Sequence, residues 1–158
     1  MAGDAILKFD GTPTTVLAQT ATLVTANFST SSTFTITEFD NSTDLWPLAK
    51  ATLLLPETFS AAPTVGKTID LYMFEQDHAG GTTDTTGPTA TLQKGAQYVG
   101  SFGPLYAVDE DQPLACVISL AGIRKCKFAL YNNSGVSLSY SAGGNAVKIE
   151  GFTYTPSA

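Results

Sequence analysis

The clearest pattern of hydrophobic and polar positions lies in residues 69–74, where the side chains alternate strictly between two faces. A period of two, bounded by Pro63 and Gly66 before it and by Gly80 after it, predicts a β-strand. The alternating sets are Ile69, Leu71 and Met73 on one face and Asp70, Tyr72 and Phe74 on the other. Because both faces carry large apolar groups, we expect this strand to lie centrally in a sandwich or against another subunit.

Similar short runs recur along the chain between turn residues. They predict further strands over residues 33–37, 49–55, 97–102, 114–120, 126–131, 136–140 and 147–154. A helix competes with a strand over residues 45–55, because Ala, Leu and Lys favour helices, but Pro56 and Pro63 leave little room for one. Residues 1–32 are rich in Thr and Ala and predict edge strands or an extended N-terminal arm.

Clusters of Asn, Asp, Ser and Gly mark the expected turns, since polar side chains bond the local backbone and glycine accepts a positive φ. Residues 40–44 and 109–113 are two such turns. Residues 132–135, Asn-Asn-Ser-Gly, predict a hairpin that returns the chain into the strand at 136–140. Residues 77–94 are rich in Gly and Thr and predict a long polar loop at one end of the fold.

The final predicted strand changes its pattern part-way along. Val147 and Ile149 alternate in one parity, and Phe152 and Tyr154 continue in the other. A β-bulge at Gly151 would place all four side chains on one face, so we predict a bulge there.

About eight to ten short strands without a convincing helix indicate an all-β protein, and more specifically an antiparallel jelly roll or β-sandwich. The 158 residues suffice for one domain that buries most of its apolar side chains in a single core. We therefore expect residues 1–158 to form a single jelly-roll domain.

Charge is sparse along the chain. Charged residues make up 14% of it, well below the usual quarter, and the net charge is −6. Arg124 is the only arginine, and the basic cluster that it forms with Lys125 and Lys127 is short. Nucleic-acid binding through phosphate neutralisation is therefore not expected. A surface of hydroxyls and small side chains suits a protein packed among neighbours.

No apolar run is long enough to cross a membrane, and residues 1–4 lack the basic start and apolar stretch of a signal peptide. We expect a soluble protein made in a cytoplasm, with no membrane partner. Cys116 and Cys126 have neither metal-ligand spacing nor the number needed for a disulfide framework. Each falls on the apolar side of a predicted strand, so buried, inert thiols are favoured over a disulfide.

No pattern indicates catalysis, a cofactor or a metal site. Gly66-Lys67-Thr68 is not a phosphate-binding loop, because Ala61 stands where its first glycine would be and a strand follows instead of a helix. The single histidine, His78, lies in the glycine-rich loop, where a catalytic base would lack rigid support. A plain acidic turn is favoured over a calcium site at residues 109–111, and no two carboxylates are marked as a glycosidase pair. We expect no enzymatic activity.

Aromatic side chains are the remaining candidates for binding. Beyond the strand at 69–74 they include Trp46, Tyr98, Phe102, Tyr106, Tyr131, Tyr140 and Tyr154. They could stack on sugars, but core packing and subunit contacts explain them more simply. We predict that Trp46, Tyr72 and Phe74 contribute to a subunit interface.

Short stretches between residues 33 and 154 together resemble a group of small structural proteins of tailed bacteriophages. These stretches are residues 38–45, Glu-Phe-Asp-Asn-Ser-Thr-Asp-Leu; 69–73, Ile-Asp-Leu-Tyr-Met; 98–102, Tyr-Val-Gly-Ser-Phe; 130–135, Leu-Tyr-Asn-Asn-Ser-Gly; and 145–149, Asn-Ala-Val-Lys-Ile. Proteins of this kind look like jelly-roll capsid decoration, or cement, proteins, which bind the outside of the head lattice, often as trimers. Their counterpart of the 77–94 loop commonly carries Asp-Gly, whereas here Asp77 is followed by His78-Ala79-Gly80.

The resemblance implies a non-enzymatic virion protein on the head exterior, made in the cytoplasm of the bacterial host. Its implied partners are further copies of itself, as a homotrimer, and the major capsid protein of the phage head. The alternative is a tail-fibre or receptor-binding module that recognises carbohydrate through exposed aromatic side chains. Position in the particle distinguishes the two, because decoration predicts many copies on the head and a fibre module predicts few on the tail.

Overall fold

The computed structural model describes residues 5–9, 11–55, 59–76, 96–105, 114–140 and 144–156. Within these ranges the chain forms strands, turns and bends, and no helix is present. The ten strands are β1 (Ala5–Phe9), β2 (Thr14–Gln19), β3 (Phe34–Ile36), β4 (Phe39–Asp40), β5 (Leu48–Leu54), β6 (Ile69–Glu75), β7 (Gln97–Phe102), β8 (Leu114–Ser119), β9 (Lys125–Asn132) and β10 (Ala146–Pro156). The predicted all-β class is confirmed, and β5 stands where a helix was the competing interpretation. The predicted loop at 77–94, with His78, the acidic turn at 109–113 and Tyr106 lie outside the described residues.

The strands form two antiparallel sheets of a β-sandwich. One sheet has the order β3-β2-β10-β5-β8, with β1 also paired to β10, and the other has the order β4-β9-β6-β7. The strand partners are nested along the sequence, because β2 pairs with β10, β4 with β9, β5 with β8 and β6 with β7. Both strands that arise within residues 1–32, β1 and β2, lie beside β10.

One apolar core fills the space between the sheets. The alternation of β6 is confirmed, since Ile69, Leu71 and Met73 are all buried in this core. Strand β5 alternates in the same way, with Ala49, Ala51 and Leu53 fully buried. The period of two in the sequence therefore corresponds to the alternate side chains that point into the core.

The predicted hairpin after β9 is wrong. The chain does turn at residues 132–135, where Gly135 has a φ of 87°. However, residues 136–140 form no strand with β9, and Leu138 instead makes isolated bridges to Leu23 and Phe59.

The buried side chain of Asn132 explains this departure. Its Nδ2 donates to the carbonyl oxygens of Val136 (2.8 Å) and Leu23 (3.1 Å), and its Oδ1 accepts from the backbone N–H of Ser134 (3.1 Å). The bonds to Val136 and Ser134 hold the turn around the Asn132 side chain, and the bond to Leu23 joins this turn to the segment around Leu23. The chain after the turn therefore pairs with Leu23 and does not return along β9 as a hairpin strand.

The predicted bulge at Gly151 is also wrong. Strand β10 pairs with β5 without interruption, and Gly151 lies opposite Ala49. The irregularity lies in β2 instead, where the register against β10 shifts across Val16. Phe152 therefore projects from the face opposite Ile149, and its ring lies 5.4 Å from that of Phe9. The side chain of Tyr154 is outside the described residues.

Gly151 makes room for the indole of Trp46. A Cβ built on Gly151 would overlap the indole ring, and one on Gly11 would lie 3.1 Å from its Cη2. The change of parity in the sequence is thus not caused by a bulge. Gly151 occupies an inward position without a side chain, and the Trp46 indole fills the space that a side chain would take.

Asn41 fixes Trp46 in this position. Its Oδ1 accepts from the Trp46 backbone N–H (2.8 Å), and its Nδ2 donates to the carbonyls of Trp46 (3.0 Å) and Ile123 (3.0 Å). The predicted turn at 40–44 is confirmed, and the Ser42 backbone N–H donates to Asp40 Oδ1 (2.8 Å). Hydrogen bonds from Ser42 are the main reason that the pKa of Asp40 is lowered.

Candidate functional site

The outward side of the four-stranded sheet carries a cluster of five aromatic rings, which we call the aromatic face: Phe28, Tyr72, Phe74, Tyr98 and Tyr131. Tyr72 and Phe74 occupy it because they alternate with the buried residues of β6. The Phe28 ring lies 5.0 Å from Tyr72 and 4.9 Å from Tyr131, and the Tyr72 ring lies 5.7 Å from Tyr98. Tilted and edge-on ring pairs at these distances stabilise the cluster by more than the burial of their apolar area alone.

Burial changes across the aromatic face. Phe74 is only 2% exposed, Tyr72 and Tyr131 are half-buried, and Tyr98 is 59% exposed. Burial raises the pKa of Tyr72, and the negative charge of Asp70 adds to that increase. The part of the face that is open to a partner is therefore the side formed by Tyr72 and Tyr98.

A chain of hydroxyl groups holds the exposed ring of Tyr98. Ser101 Oγ donates to Asp70 Oδ1 (2.6 Å) and lies 2.7 Å from the Tyr98 hydroxyl. Since the single proton of Ser101 is used on Asp70, Tyr98 donates to Ser101. Thr68 Oγ1 also donates to Asp70 Oδ1 (2.7 Å). The carboxylate thus orders the hydroxyl groups beside the aromatic face.

The structure brings together two of the three residues predicted for a subunit interface. Tyr72 and Phe74 share the aromatic face, whereas Trp46 packs against the inner core beside Phe39, with ring centroids 6.2 Å apart. Phe74 is already covered within its own chain. An interface on this face would therefore use Tyr72 with Tyr98, and Trp46 would support the core beneath the other sheet.

Phe28 is the member of the aromatic face that the sequence did not single out. It lies between β2 and β3 and forms an isolated bridge with Tyr131. Ser29 strengthens this junction, since its backbone N–H donates to the Leu130 carbonyl (2.7 Å) and its Oγ accepts from the Leu130 N–H (2.9 Å). The segment is too short to show a periodic pattern. Its one sequence signal is that Phe28 stands between two polar residues, Asn27 and Ser29.

A cavity of about 220 Å³ lies beside the 40–44 turn. Its lining residues are Asn41, Leu45, Leu120, Gly122, Ile123 and Arg124. Arg124 is the one charged side chain among them, so this lining offers no acid and base pair. Among the described residues no group of His, Cys, Asp and Glu side chains could hold a metal ion, and no helix there could cross a membrane. Gly66-Lys67-Thr68 leads into strand β6, as expected.

The two cysteines are free thiols on inward positions of their strands. Cys126 is fully buried, and burial raises its pKa to about 12, while Cys116 is half-buried with a pKa raised to about 11. The thiolate is the reactive form, and at pH 8 a pKa of 12 leaves about one thiol in ten thousand ionised.

We therefore expect native Cys126 to resist alkylation by iodoacetamide at pH 8 and Cys116 to react slowly. Mass spectrometry of the native and urea-unfolded protein checks this, with rapid double labelling expected after unfolding. Rapid native labelling of Cys126 would contradict its place in the core.

Comparison of the chain with known protein families, with characterised proteins and with solved structures finds no match.

Proposed function

We propose that this protein is a non-enzymatic structural component of a tailed-phage virion that decorates the exterior of the head. The observation that carries the proposal is where the phage-like stretches fall in the fold. Four of the five stretches, residues 38–45, 69–73, 98–102 and 130–135, contain all or part of β4, β6, β7 and β9, which are the four strands of one sheet. The fifth, residues 145–149, lies in β10 of the other sheet. The resemblance therefore concentrates on the sheet that carries the aromatic face.

The nested strand pairing supports the jelly-roll form of this proposal. Winding one antiparallel ribbon around a barrel pairs its first strand with its last and its middle strands with each other. The pairs β2–β10, β4–β9, β5–β8 and β6–β7 follow that order.

The mechanism is geometric. Each copy makes modest contacts with neighbouring capsid subunits, and repetition over the lattice multiplies their effect. Contacts among copies in a homotrimer would use the exposed part of the aromatic face, around Tyr72 and Tyr98. Such contacts are apolar and hydrogen-bonded, so added salt should weaken them little.

We expect the purified wild-type protein to sediment as a trimer or a multiple of it, and the Tyr72→Ala, Tyr98→Ala double variant to lose the threefold contact. The matched control is Tyr140→Ala, since Tyr140 is 42% exposed and lies outside the aromatic face. Analytical ultracentrifugation in low and high salt checks this. A wild-type protein without a trimer, or a double variant that still trimerises, would refute this use of the aromatic face.

Position and copy number in the particle test the proposed function itself. Decoration predicts that quantitative mass spectrometry of purified particles finds many copies and that cryo-EM places them on the head. One observation favours the alternative of a carbohydrate-binding tail module, namely the exposed Tyr98 ring beside the Asp70 carboxylate. A few copies at the tail, with glycan binding that Tyr98→Ala abolishes, would establish that alternative instead.

A further inference from the structure

Strand β8 forms one edge of the six-stranded sheet, and its outer edge is unpaired among the described residues. The Leu120 N–H donates to the carbonyl of Pro47, the residue just before β5 (2.8 Å). Hydrogen-bonded and non-hydrogen-bonded pairs alternate along antiparallel strands, so this bond shows which residues of β8 bond to β5. The backbone groups of Ala115, Val117 and Ser119 consequently point away from β5. Each of these residues thus presents an N–H donor and a C=O acceptor along the edge.

The other described edges each carry a feature that discourages pairing with another chain. Strands β3 and β4 have three and two residues. Strand β1 contains the charged Lys8. Strand β7 has a register shift across Val99, which interrupts its regular edge. Short strands, charges and bulges are the devices by which sheet edges avoid unwanted partners.

Strand β8 has none of these features. It has six residues, Leu-Ala-Cys-Val-Ile-Ser, with no charge and no proline, and its register against β5 is continuous. The side chains of Ala115, Val117 and Ser119 are exposed, and Val117 is 61% exposed. Leu114 and Cys116, which face the core, are only half-buried at this edge. An added strand would cover apolar groups on both faces of β8.

We propose that β8 pairs antiparallel with β8 of a second copy of this chain across a twofold axis. The register is the one that pairs the outward backbone groups of all three residues. In it, Val117 lies opposite Val117 of the other copy and Ala115 lies opposite Ser119. A charged strand would place like charges near one another across such an axis, whereas this uncharged strand meets its own copy without repulsion. The pairing joins the two six-stranded sheets into one continuous sheet.

This contact is distinct from the trimer contact proposed for the aromatic face, which lies on the other sheet. A twofold contact is isologous and closes on itself, whereas a threefold contact forms a ring. A chain with both would link trimers to one another edge to edge. On a head surface the twofold contact would connect neighbouring trimers into a net.

The first experiment adds a charge at the centre of the edge. Val117→Lys places two like charges opposite each other across the twofold axis, and its exposed position should leave the fold intact. The matched control is Val65→Lys, because Val65 is 70% exposed and lies in a turn that is not part of β8. Both are made in the Tyr72→Ala, Tyr98→Ala background, which removes the threefold contact.

Sedimentation velocity on these proteins should show a dimer for the background and for Val65→Lys, and a monomer for Val117→Lys. A dimer that Val117→Lys leaves intact overturns the inference, as does a background protein that stays monomeric at millimolar concentration. Neither result bears on the location of the protein in the particle, so failure here and failure of the proposed function are separable.

The second experiment tests the register by cross-linking in a Cys116→Ala background. Directly opposed residues of a hydrogen-bonded antiparallel pair have Cα atoms about 5.5 Å apart, within reach of a disulfide or a short thiol cross-linker. Val117→Cys alone should give a covalent dimer. Ala115→Cys and Ser119→Cys should do so only when mixed, because each lies opposite the other. Cross-linking of Ala115→Cys with itself, or none at Val117→Cys, would overturn the register.

Discussion

Gly151→Ala is expected to destabilise the protein by about 3 kcal/mol or more, because the added Cβ would occupy the space of the Trp46 indole. The indole cannot easily withdraw, since Asn41 holds the Trp46 backbone through its N–H and its carbonyl. Urea unfolding followed by tryptophan fluorescence measures the loss in the free energy of unfolding.

The same substitution should change sign when the tryptophan is reduced in size. In a Trp46→Leu background, the space over residue 151 is open, and alanine in a strand is about 0.5–1 kcal/mol better than glycine. Gly151→Ala should then be neutral or stabilising there, measured by circular dichroism in urea. An equal cost in both backgrounds would show that something other than the indole excludes the methyl group.

Asn132→Asp is expected to cost about 3–5 kcal/mol at pH 7, because it places a carboxylate where the native amide donates to the carbonyls of Leu23 and Val136. One oxygen could still accept from Ser134, but the other would face two carbonyl oxygens in a buried site. The matched control is Asn133→Asp, since the adjacent Asn133 is exposed.

The cost of Asn132→Asp should also depend on pH. Burial and the two carbonyls would raise the pKa of the new carboxyl in the folded state above its unfolded value of about 3.9. The folded state then binds the proton more tightly, so the cost is fully present above the folded pKa and falls as the pH drops through it. Urea midpoints at pH 7 and pH 4.5, taken relative to Asn133→Asp, should converge at the lower pH. An unchanged difference would contradict a buried carboxylate.

Much of the fold could be predicted because most strands bury one face and expose the other. The alternation of Ile69, Leu71 and Met73 has a single physical cause, which is the core on one side of β6. Cys126 could be placed in the same way, from its parity with Phe128 and Leu130. Where inward and outward positions alternate regularly, sequence and structure agree.

The errors arose where a distant residue decides a local conformation. Gly151 resembles a bulge until Trp46, more than a hundred positions earlier, is seen to fill its place. Asn132 resembles a hairpin residue, but its amide bonds to Leu23, which belongs to another part of the chain. Local pattern carries no information about such partners, because neither the indole nor the carbonyl is near in sequence.

The same limit applies to the aromatic face. Outward-facing Tyr72 and Phe74 indicated that something covers this side of β6, and the sequence could not distinguish a second subunit from the chain itself. Phe28 supplies part of that cover from an irregular segment. The open portion beside Tyr98 depends on the Asp70 and Ser101 hydrogen bond between two strands, which becomes visible only when their register is known.

The position of β10 within its sheet has a consequence for synthesis. It is the last of the ten strands among the described residues, yet it lies between β2 and β5 and joins them. During synthesis, β2 and β5 therefore emerge from the ribosome before the strand that pairs with both of them. Leu17 can pair with Val147 only after the intervening residues have emerged. Closing contacts over such separations is slow, so this sheet should form as one late step, only after β10 has been synthesised.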